Sequence, residues 1–483
     1  MPNVQDELIV YPAPPGSLGN PDFSVRVCKP QGEWEVLFCY NVKVDMHDVR
    51  NASMVTFDCA GTVKIEVIKN EGEIRETTVR PLSAELNCNH AGNRIELTIE
   101  GPRQLSLEIN GDRFHNLHIF VNPIEQTIPE SSGEGVLFLE EGNHVSDKIL
   151  EDLASLQSKG GDNILYFGPG AHRLDTSILA VPSNTEVYIA GGAILYGGFL
   201  CQHVHNVKIH GRGILYLSEF EKTTYYRGVD INFSNQISVE GITVIDPPHY
   251  TIHLGQSENI HIHNIKSFST RGWSDGIDMM SCCNVTIDHV FLRTSDDCIA
   301  IYGSRGEFRG DTREITVSHS ILWADVAHPM NIGTHGNYAD DGDVIENIRF
   351  YDIDVLEHHE PQPDYWGCMA INAGDKNTVR NVTYENIRIE DFELGELFNL
   401  RVVQNPKYNP APGKAIENIH FKNISFSGTS VNPSHLEGYD DKRTVNGVQF
   451  ENVTLNGRKL DINSNELSIG PHVYQVSVIS NES

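Results

Sequence analysis

Short runs in which apolar and polar residues alternate dominate the first quarter of the chain. Examples are Phe23–Val27, Val63–Ile68 and Arg94–Ile99, and turn-forming residues separate them. Alternation at every second residue predicts strands with one buried face. Many such strands without a helical pattern predict an antiparallel β-sandwich domain over residues 1–122. The segment 123–134, with Pro123, Pro129 and Gly133, is predicted to be a linker.

One stretch has apolar residues at helical spacing, and it predicts a helix near 146–158. Ser146 is expected to be its N-cap, and the Gly160–Gly161 pair is expected to end it. Because the pattern that follows is again strand, turn and strand, this helix is expected to cap the open end of a stack of strands.

A repeat fills the rest of the chain, in which an asparagine precedes alternating β-branched or aromatic residues. Its units begin at Asn206, Asn235, Asn259, Asn284, Asn347, Asn381 and Asn418. Starts about 24 to 37 residues apart suit one coil of a parallel β-solenoid, whereas a β-propeller needs blades of about 40 to 50 residues. The pattern therefore predicts an all-β chain in which residues 135–483 form a parallel β-helix. The asparagines are expected to stack as a ladder at the turns.

The charge balance narrows the possible partners. The chain of 483 residues has 36 basic and 66 acidic residues and a formal charge of -30, which argues against a nucleic-acid backbone as ligand. No apolar run has membrane-spanning length, so no membrane partner is expected. The start lacks a signal-peptide pattern, so the chain as written is expected to be cytoplasmic, or secreted if a signal was removed. The oligomeric state stays open.

The cysteines do not predict a metal or redox site. The nine cysteines include no CxxC pair and no zinc-like spacing. They are read as buried thiols, with a disulfide among Cys28, Cys39, Cys59 and Cys88 as the weaker alternative. No cofactor and no metal ion is predicted.

Two acidic segments are the strongest candidates for chemistry. Ser274-Asp275-Gly276-Ile277-Asp278 and Ser295-Asp296-Asp297-Cys298-Ile299-Ala300-Ile301 flank one alternating strand, so they occupy equivalent points of successive coils. Carboxylates that project from adjacent coils repel one another, which raises at least one pKa and supplies an acid and a base at the same pH. Cleavage of a glycosidic bond needs both groups. A calcium site or an acidic surface ladder is the alternative interpretation.

These segments resemble the Asn-Thr-Asp-Gly and Gly-Asp-Asp-Cys-Ile-Ala-Ile motifs of glycoside hydrolase family 28, the polygalacturonase family. Asp246–His253 and Ala327–Thr334 are similar to two further motifs of that family, in the same order, and the resemblance covers about residues 135 to 455. It implies a right-handed parallel β-helix of the pectin-lyase type and hydrolysis by single displacement with inversion.

The resemblance also implies roles for individual residues. Asp296 would be the general acid, Asp275 and Asp297 would activate the water, and His328 would tune or hold the acid. The partner is expected to be a carbohydrate. Further residues near the acids are expected to bind it, namely Trp273, Asp278, Arg305, His335, Trp366, Asn372 and Arg401. His335 competes with His328 for its role, and Trp323 is a third candidate for stacking on sugar rings.

One departure from the family concerns the substrate. The Arg-Ile-Lys motif that binds the galacturonate carboxylate is expected at Ala370-Ile371-Asn372, so both cations are missing, although Arg401 could substitute. A uronate carboxylate there would lose its bidentate cation. The sequence therefore favours a neutral or differently charged sugar.

Other readings remain open. The architecture is also similar to glycoside hydrolase family 49, the dextranase and isopullulanase family, which acts on neutral α-glucans. A polysaccharide lyase would need a base such as Arg293 or Arg305, and a non-catalytic glycan-binding β-helix would not need three acids. Acids on strands about 4.8 Å apart also conflict with inversion, for which a separation of about 6.5 to 9.5 Å is usual.

Overall fold

The computed structural model describes residues 7–86, 88–160, 163–429 and 432–479. The outer ends of the two predicted domains, and Gly161 of the pair expected to end the helix, lie outside the described residues.

The N-terminal part is a β-sandwich of two sheets. One sheet has the order β1-β5-β11-β10-β7 with β4 beside β5, and the other has the order β3-β2-β6-β9-β8. Within the described residues its strands are β1 (Leu8–Val10), β2 (Phe23–Cys28), β3 (Glu35–Leu37), β4 (Tyr40–Val44), β5 (Arg50–Cys59), β6 (Thr62–Lys69), β7 (Thr77–Arg80), β8 (Asn89–Ala91), β9 (Arg94–Glu100), β10 (Arg103–Ile109) and β11 (Asp112–Asn122).

The sandwich is held by the alternation that its sequence shows. Val25 and Ile65 of one sheet and Phe57 and Ile119 of the other belong to one buried apolar cluster, while the residues between them face outward. The expectation of a wholly antiparallel sandwich is wrong at one pair, because β5 and β11 run parallel. The chain enters these two strands from the same end of the sheet.

The remainder is a right-handed parallel β-helix, as the repeat predicts. Its strands form one continuous sheet of 30 strands. They are β12 (Val136–Leu139), β13 (Gly142–His144), β14 (Ile164–Phe167), β15 (Gly170–Ala180), β16 (Thr185–Ile189), β17 (Ala193–Gln202), β18 (His205–Gly211), β19 (Ile214–Tyr216), β20 (Val229–Asn232), β21 (Asn235–Glu240), β22 (Thr243–Ile245), β23 (Ile252–Gly255), β24 (Glu258–His263), β25 (Lys266–Phe268), β26 (Ile277–Met280), β27 (Cys283–Asp288), β28 (Phe291–Thr294), β29 (Ile299–Tyr302), β30 (Thr312–Ala324), β31 (Met330–Ile332), β32 (Val344–Glu357), β33 (Met369–Ala373), β34 (Thr378–Glu390), β35 (Phe398–Val402), β36 (Ala415–Ser427), β37 (Ser434–Glu437), β38 (Val445–Leu455), β39 (Arg458–Lys459), β40 (Leu467–Ile469) and β41 (Val473–Ile479).

The asparagine ladder is confirmed. Asn284 donates to Asn259 over 2.6 Å, and Asn259 donates to Asn235 over 3.3 Å. Asn259 and Asn284 have positive φ, which asparagine tolerates better than most residues. The repeated asparagines therefore shape the corners of the coils and satisfy their own side chains.

Helix α1 (Ser146–Ser158) buries Ile149 and Leu153 in the β-helix core, so it covers the first coils. The expected N-cap is wrong, since Val145 precedes the helix and Ser146 lies inside it. Ser146 instead donates its hydroxyl to Asp175 over 2.7 Å, which ties the helix to β15. Two short 3-10 helices, Leu82–Ala84 and Lys222–Thr224, complete the helical elements of the described chain.

The sandwich packs along one side of the β-helix through a shared apolar cluster that includes Met54, Phe120 and Phe268. Trp323 lies in this cluster and is 0% exposed, so the expectation that it stacks on sugar is wrong. Arg293 is equally buried and binds Asp325 at 2.9 Å, so it is unsuited to act as a lyase base.

No disulfide joins the nine cysteines, which all lie within the described residues, and seven of them are buried. The disulfide alternative for Cys28, Cys39, Cys59 and Cys88 is therefore wrong. Within the described ranges, no helix is both long and apolar enough to span a membrane.

Candidate active site

Three carboxyl groups meet at the ends of neighbouring strands. Asp275 lies just before β26, while Asp296 and Asp297 lie just before β29, and these strands pair directly with Ile277 opposite Ile299. One carboxylate oxygen from each of the three residues lies within 4.8 Å of the others. A Cβ at Gly276 would lie 2.3 Å from the carbonyl oxygen of Cys298, so only glycine permits this close approach of the two turns.

Asp297 is the most firmly held of the three. Its Oδ1 accepts hydrogen bonds from Nδ1 of His328 at 2.7 Å and from the His328 backbone N–H at 3.1 Å. Its Oδ2 accepts from Asn331 at 2.8 Å and from the Tyr302 hydroxyl at 3.4 Å. Burial alone would raise the pKa of Asp297, but His328 and Asn331 outweigh burial and hold it below its usual value.

His328 carries the positive charge that this arrangement needs. It is 0% exposed, and its Nε2 lies 2.6 Å from the backbone carbonyl of Tyr365. Since a carbonyl and a carboxylate are both acceptors, both ring nitrogens donate. Burial opposes the charge, but Asp297 outweighs it and raises the pKa of His328 to about 9. The expectation that His328 holds Asp296 is wrong, because its partner is Asp297.

Asp296 has a weaker set of partners. Its Oδ2 accepts the backbone N–H of Trp273 at 2.9 Å, and its Oδ1 accepts the backbone N–H of Asp297 at 3.1 Å. Burial, and next the charge of Asp297, raise the pKa of Asp296 to about 6. The adjacent aspartates thus differ, with Asp297 ionised and Asp296 able to carry a proton in weak acid.

Asp275 and Asp278 form a second buried acidic pair. The pKa of Asp275 is well above its ordinary value because of burial and then the charges of Asp278, Asp296 and Asp297. Burial also raises the pKa of Asp278, and Nη1 of Arg305 lies 3.9 Å from its Oδ2 and offsets part of this effect. Burial thus favours the protonated form of both carboxyl groups.

Aromatic and basic side chains border the acids. Trp273 is 58% exposed, with Nζ of Lys222 5.1 Å from the centre of its ring. Arg305 donates to the Tyr250 hydroxyl at 2.9 Å. Trp366 is half-buried and its indole N–H has no partner among the described residues. The exposed indole of Trp273 beside Asp296 suits stacking on a sugar ring.

The remaining predicted site residues lie one or two coils further on. His335 packs edge-on against Tyr302 at 4.9 Å, and burial lowers its pKa to about 3, so it is neutral. Asn372 is 1% exposed, and neither polar atom of its side chain has a partner within the described chain. Its in-register neighbour Arg401 is bound by Glu437 at 2.8 Å and by the carbonyl of Asp364 at 2.6 Å.

Several residues of the site were not predicted from the sequence. Asn331 lies inside the Ala327–Thr334 motif and Tyr302 directly follows the Ser295–Ile301 motif, but nothing in their spacing shows that they bind Asp297. Tyr365 comes from a loop between β32 and β33, and Lys222 begins the short 3-10 helix after β19. The aromatic pair Tyr365-Trp366 immediately before a strand is the one signal that could have found the first loop.

Known proteins match the β-helix part of the chain. The family model described as Glycosyl hydrolases family 28 matches residues 216–469. Exopolygalacturonase B of Aspergillus niger is 27% identical over 246 residues, which cover 45% of this chain and 53% of that protein. Probable exopolygalacturonase B of Aspergillus flavus is 26% identical over 281 residues, which cover 52% and 61%. The chain thus spans about half the length of the curated relatives it matches.

Two solved structures share the fold. Dex49A from Penicillium minioluteum has a TM-score of 0.68 at 16% identity, and the match covers 99% of this chain and 97% of that one. The family 28 exopolygalacturonase of Yersinia enterocolitica has a TM-score of 0.53 at 11% identity, covering 86% and 96%. These likenesses confirm the predicted architecture of a β-helix joined to an N-terminal sandwich.

Proposed function

Since the chain belongs to glycosyl hydrolases family 28, we propose that it hydrolyses α-glycosidic bonds of a poly- or oligosaccharide by a single displacement with inversion. The observation that carries this proposal is the convergence of Asp275, Asp296 and Asp297, whose carboxylate oxygens lie within 4.8 Å of one another. One site thereby holds an acid and a base with different proton affinities.

The proposed roles follow from the environments of the acids. Asp296, with a pKa of about 6, donates its proton to the leaving oxygen. Asp297, ionised beside the His328 cation, takes the proton of the attacking water. Asp275 holds that water from the opposite side. His328 touches only protein groups, so it positions Asp297 and keeps it charged.

The hydrogen bonds of Asp297 support inversion. Three bonds of 2.7 to 3.1 Å fix its orientation and spread its charge, which makes it a weak nucleophile towards the sugar. The fourth, from the Tyr302 hydroxyl, is long at 3.4 Å, so Oδ2 keeps a lone pair that can take a proton from water. The short separation of the acids would favour retention by the usual rule, so the anomer formed first is a decisive measurement.

We further propose that the sugar near Asn372 is not a uronate. A cavity of about 580 Å³ beside the site is lined by Asn372, Tyr365, Arg401 and Glu437. Its one arginine is already paired with Glu437, and the unpartnered amide of Asn372 suits a hydroxyl group. A neutral or substituted α-glycan is therefore the first candidate substrate.

Plain galacturonan is the second candidate, and a different observation favours it. Arg305 lies beside Asp278, and Lys222 lies over Trp273, so two cations flank the acids. A uronate carboxylate could pair with either of them.

The test is a panel of dextran, pullulan, rhamnogalacturonan and polygalacturonate, with products separated by chromatography. Asp275→Asn, Asp296→Asn and Asp297→Asn should each lower turnover by at least about 100-fold while the protein stays folded. Proton NMR should show the β-anomer first from an α-linked substrate. An initial α-anomer, or more than about a tenth of wild-type turnover in any variant, contradicts the proposed mechanism.

A further inference from the structure

Three histidines surround one aspartate on the outer surface of the β-helix. This histidine cluster consists of His261, His263, Asp288 and His289. His261 and His263 are alternate residues of β24, so both side chains point outward. Asp288 lies directly opposite His263 on β27 of the next coil, and His289 follows it at the corner with positive φ. The strand β28 separates this corner from the turn that carries Asp296.

The three imidazole rings direct a nitrogen to the same carboxylate. Nε2 of His261 lies 2.8 Å from Oδ2 of Asp288. Nδ1 of His263 lies 2.5 Å from Oδ1, and Nδ1 of His289 lies 2.7 Å from the same atom. Ligand atoms of His261, His263 and Asp288 all lie within 4.8 Å of one another.

This density of histidine distinguishes the cluster from other ion pairs of the β-helix. His210 with Glu186, His420 with Glu451 and His435 with Glu396 each place one ring on one carboxylate. If only hydrogen bonds hold the cluster, each of the three rings must direct an N–H proton at the Asp288 carboxylate. A divalent cation replaces those protons and satisfies all four groups at once.

We propose that His261, His263, Asp288 and His289 bind one divalent transition-metal ion, with Zn²⁺ as the reference occupant. Three imidazole nitrogens and one carboxylate oxygen offer four donors, the number that Zn²⁺ takes in a closed tetrahedral site. Imidazole ligands favour Zn²⁺, Cu²⁺ and Ni²⁺ over Ca²⁺ and Mg²⁺. Metal–ligand bonds of about 2.0 to 2.2 Å require the facing atoms to move slightly apart. His261 and His289 are 53% and 55% exposed, so their rings have room to move.

Access and location suit such an ion. A surface cavity of about 560 Å³ between the sandwich and the β-helix is lined by His263 and His289, which gives the ion a path from solvent. Gln104 of the sandwich donates to the carbonyl of His289 at 2.7 Å and fixes this corner. A bound ion would link two adjacent coils, so its expected effect is on stability and not on turnover.

The test is calorimetric titration of the full, untagged chain with zinc chloride at pH 7.5. We expect one ion per chain. His261→Gln/His263→Gln should weaken binding by at least about 100-fold, since loss of an outer-shell partner alone costs 10- to 100-fold. His420→Gln, which breaks a single histidine–carboxylate pair elsewhere, is the matched control and should bind as wild type does. Absence of saturable binding, or equal affinity in the double variant, overturns the proposal.

Two further measurements keep the test decisive. Zinc titration of Asp296→Asn tests whether the ion binds at the catalytic acids instead. This variant should bind zinc as wild type does, and loss of binding would overturn the placement at the histidine cluster. Modification of wild-type histidines by diethyl pyrocarbonate, read peptide by peptide, needs no variant. Saturating Zn²⁺ should slow modification of His261, His263 and His289 but not of His420, and unchanged rates overturn the proposal.

Discussion

Nδ1 of His328 donates a 2.7 Å hydrogen bond to Oδ1 of Asp297, and the histidine has no exposed surface. The cation therefore acts on the reaction through the carboxylates beside it, Asp297 at 2.7 Å and Glu360 at 3.9 Å. The pair of His328 and Asp297 explains how two adjacent aspartates in one buried turn differ in charge near pH 5.

His328→Gln should raise the pKa of Asp297 because the adjacent positive charge is lost. The acidic limb of kcat/KM should then move to higher pH, and kcat should fall with little change in KM. The measurement is a pH–rate profile of both proteins. His358→Gln is the matched control, since His358 is equally buried nearby but burial lowers its pKa to about 3. An unmoved acidic limb in His328→Gln would contradict the role of the cation.

The same histidine should make stability depend on pH. Its pKa in the folded protein, about 9, exceeds the ordinary value of 6.5. Its contribution to stability is thus complete below pH 6.5 and is lost as the pH rises towards 9. The free energy of unfolding of wild type, measured by urea denaturation, should decline across this range. The decline should be smaller in His328→Gln. Parallel curves for the two proteins would rule out the charged histidine.

Asp296 predicts the alkaline limb of activity and a second loss of stability as the pH rises. Turnover should fall above about pH 6 as Asp296 loses its proton. The folded protein binds this proton more tightly than the unfolded chain, so stability also falls as the pH rises from about 4 to 6. Asp296→Asn removes this loss and should be more stable than wild type at pH 7. Thermal unfolding of both proteins at pH 4.5 and pH 7 is the measurement. A variant less stable than wild type at pH 7 would contradict the raised pKa of Asp296.

The sequence predicts the parts of this molecule that repeat and the parts that resemble a family. Alternation and the asparagine spacing predict the sandwich and the β-helix because burial of one strand face is a local property. The register between successive coils brings Asp275, Asp296 and Asp297 together. The sequence predicts this because the two acidic segments occupy equivalent points of their coils. The contacts of Tyr365 and Lys222 depend on loop paths, and the burial of Trp323 depends on how the two domains pack. No local pattern encodes either property, so these residues were missed or misassigned.

The sandwich domain reaches the back of the catalytic turn, which predicts a role for Ser295. Its hydroxyl accepts the backbone N–H of Met46 at 3.0 Å and donates to the carbonyl of Ser269 at 2.9 Å. Ser295→Ala should lower kcat by about 3- to 10-fold, because small displacements of catalytic groups are costly. The pH profile should stay unchanged. Ser320→Ala, which removes a comparable buried hydroxyl in another corner, should leave kcat unchanged, and equal losses in both would indicate a general effect on folding.

The residues at the expected uronate-binding positions make a final prediction about the substrate. Ala370 is 0% exposed and in register between Asn331 and Asn399, so an arginine has no room there. Asn372 faces the cavity, and Asn372→Lys can place a cation where its amide now lies. This variant should bind galacturonate oligomers at least about 10-fold more tightly than wild type, because one hydrogen bond to a charged group contributes about 1.5 to 3 kcal/mol and about 1.4 kcal/mol is tenfold in affinity.

Asn372→Gln is the control, since it lengthens the side chain without charge and should show no gain. Calorimetry with a galacturonate trimer measures both variants. Arg401 should not contribute, because Glu437 already neutralises it, and Arg401→Ala should therefore leave the affinity unchanged. Tight wild-type binding of the trimer that survives Arg401→Ala but is lost in Arg305→Gln would place the carboxylate beside Asp278, and galacturonan would then be the substrate.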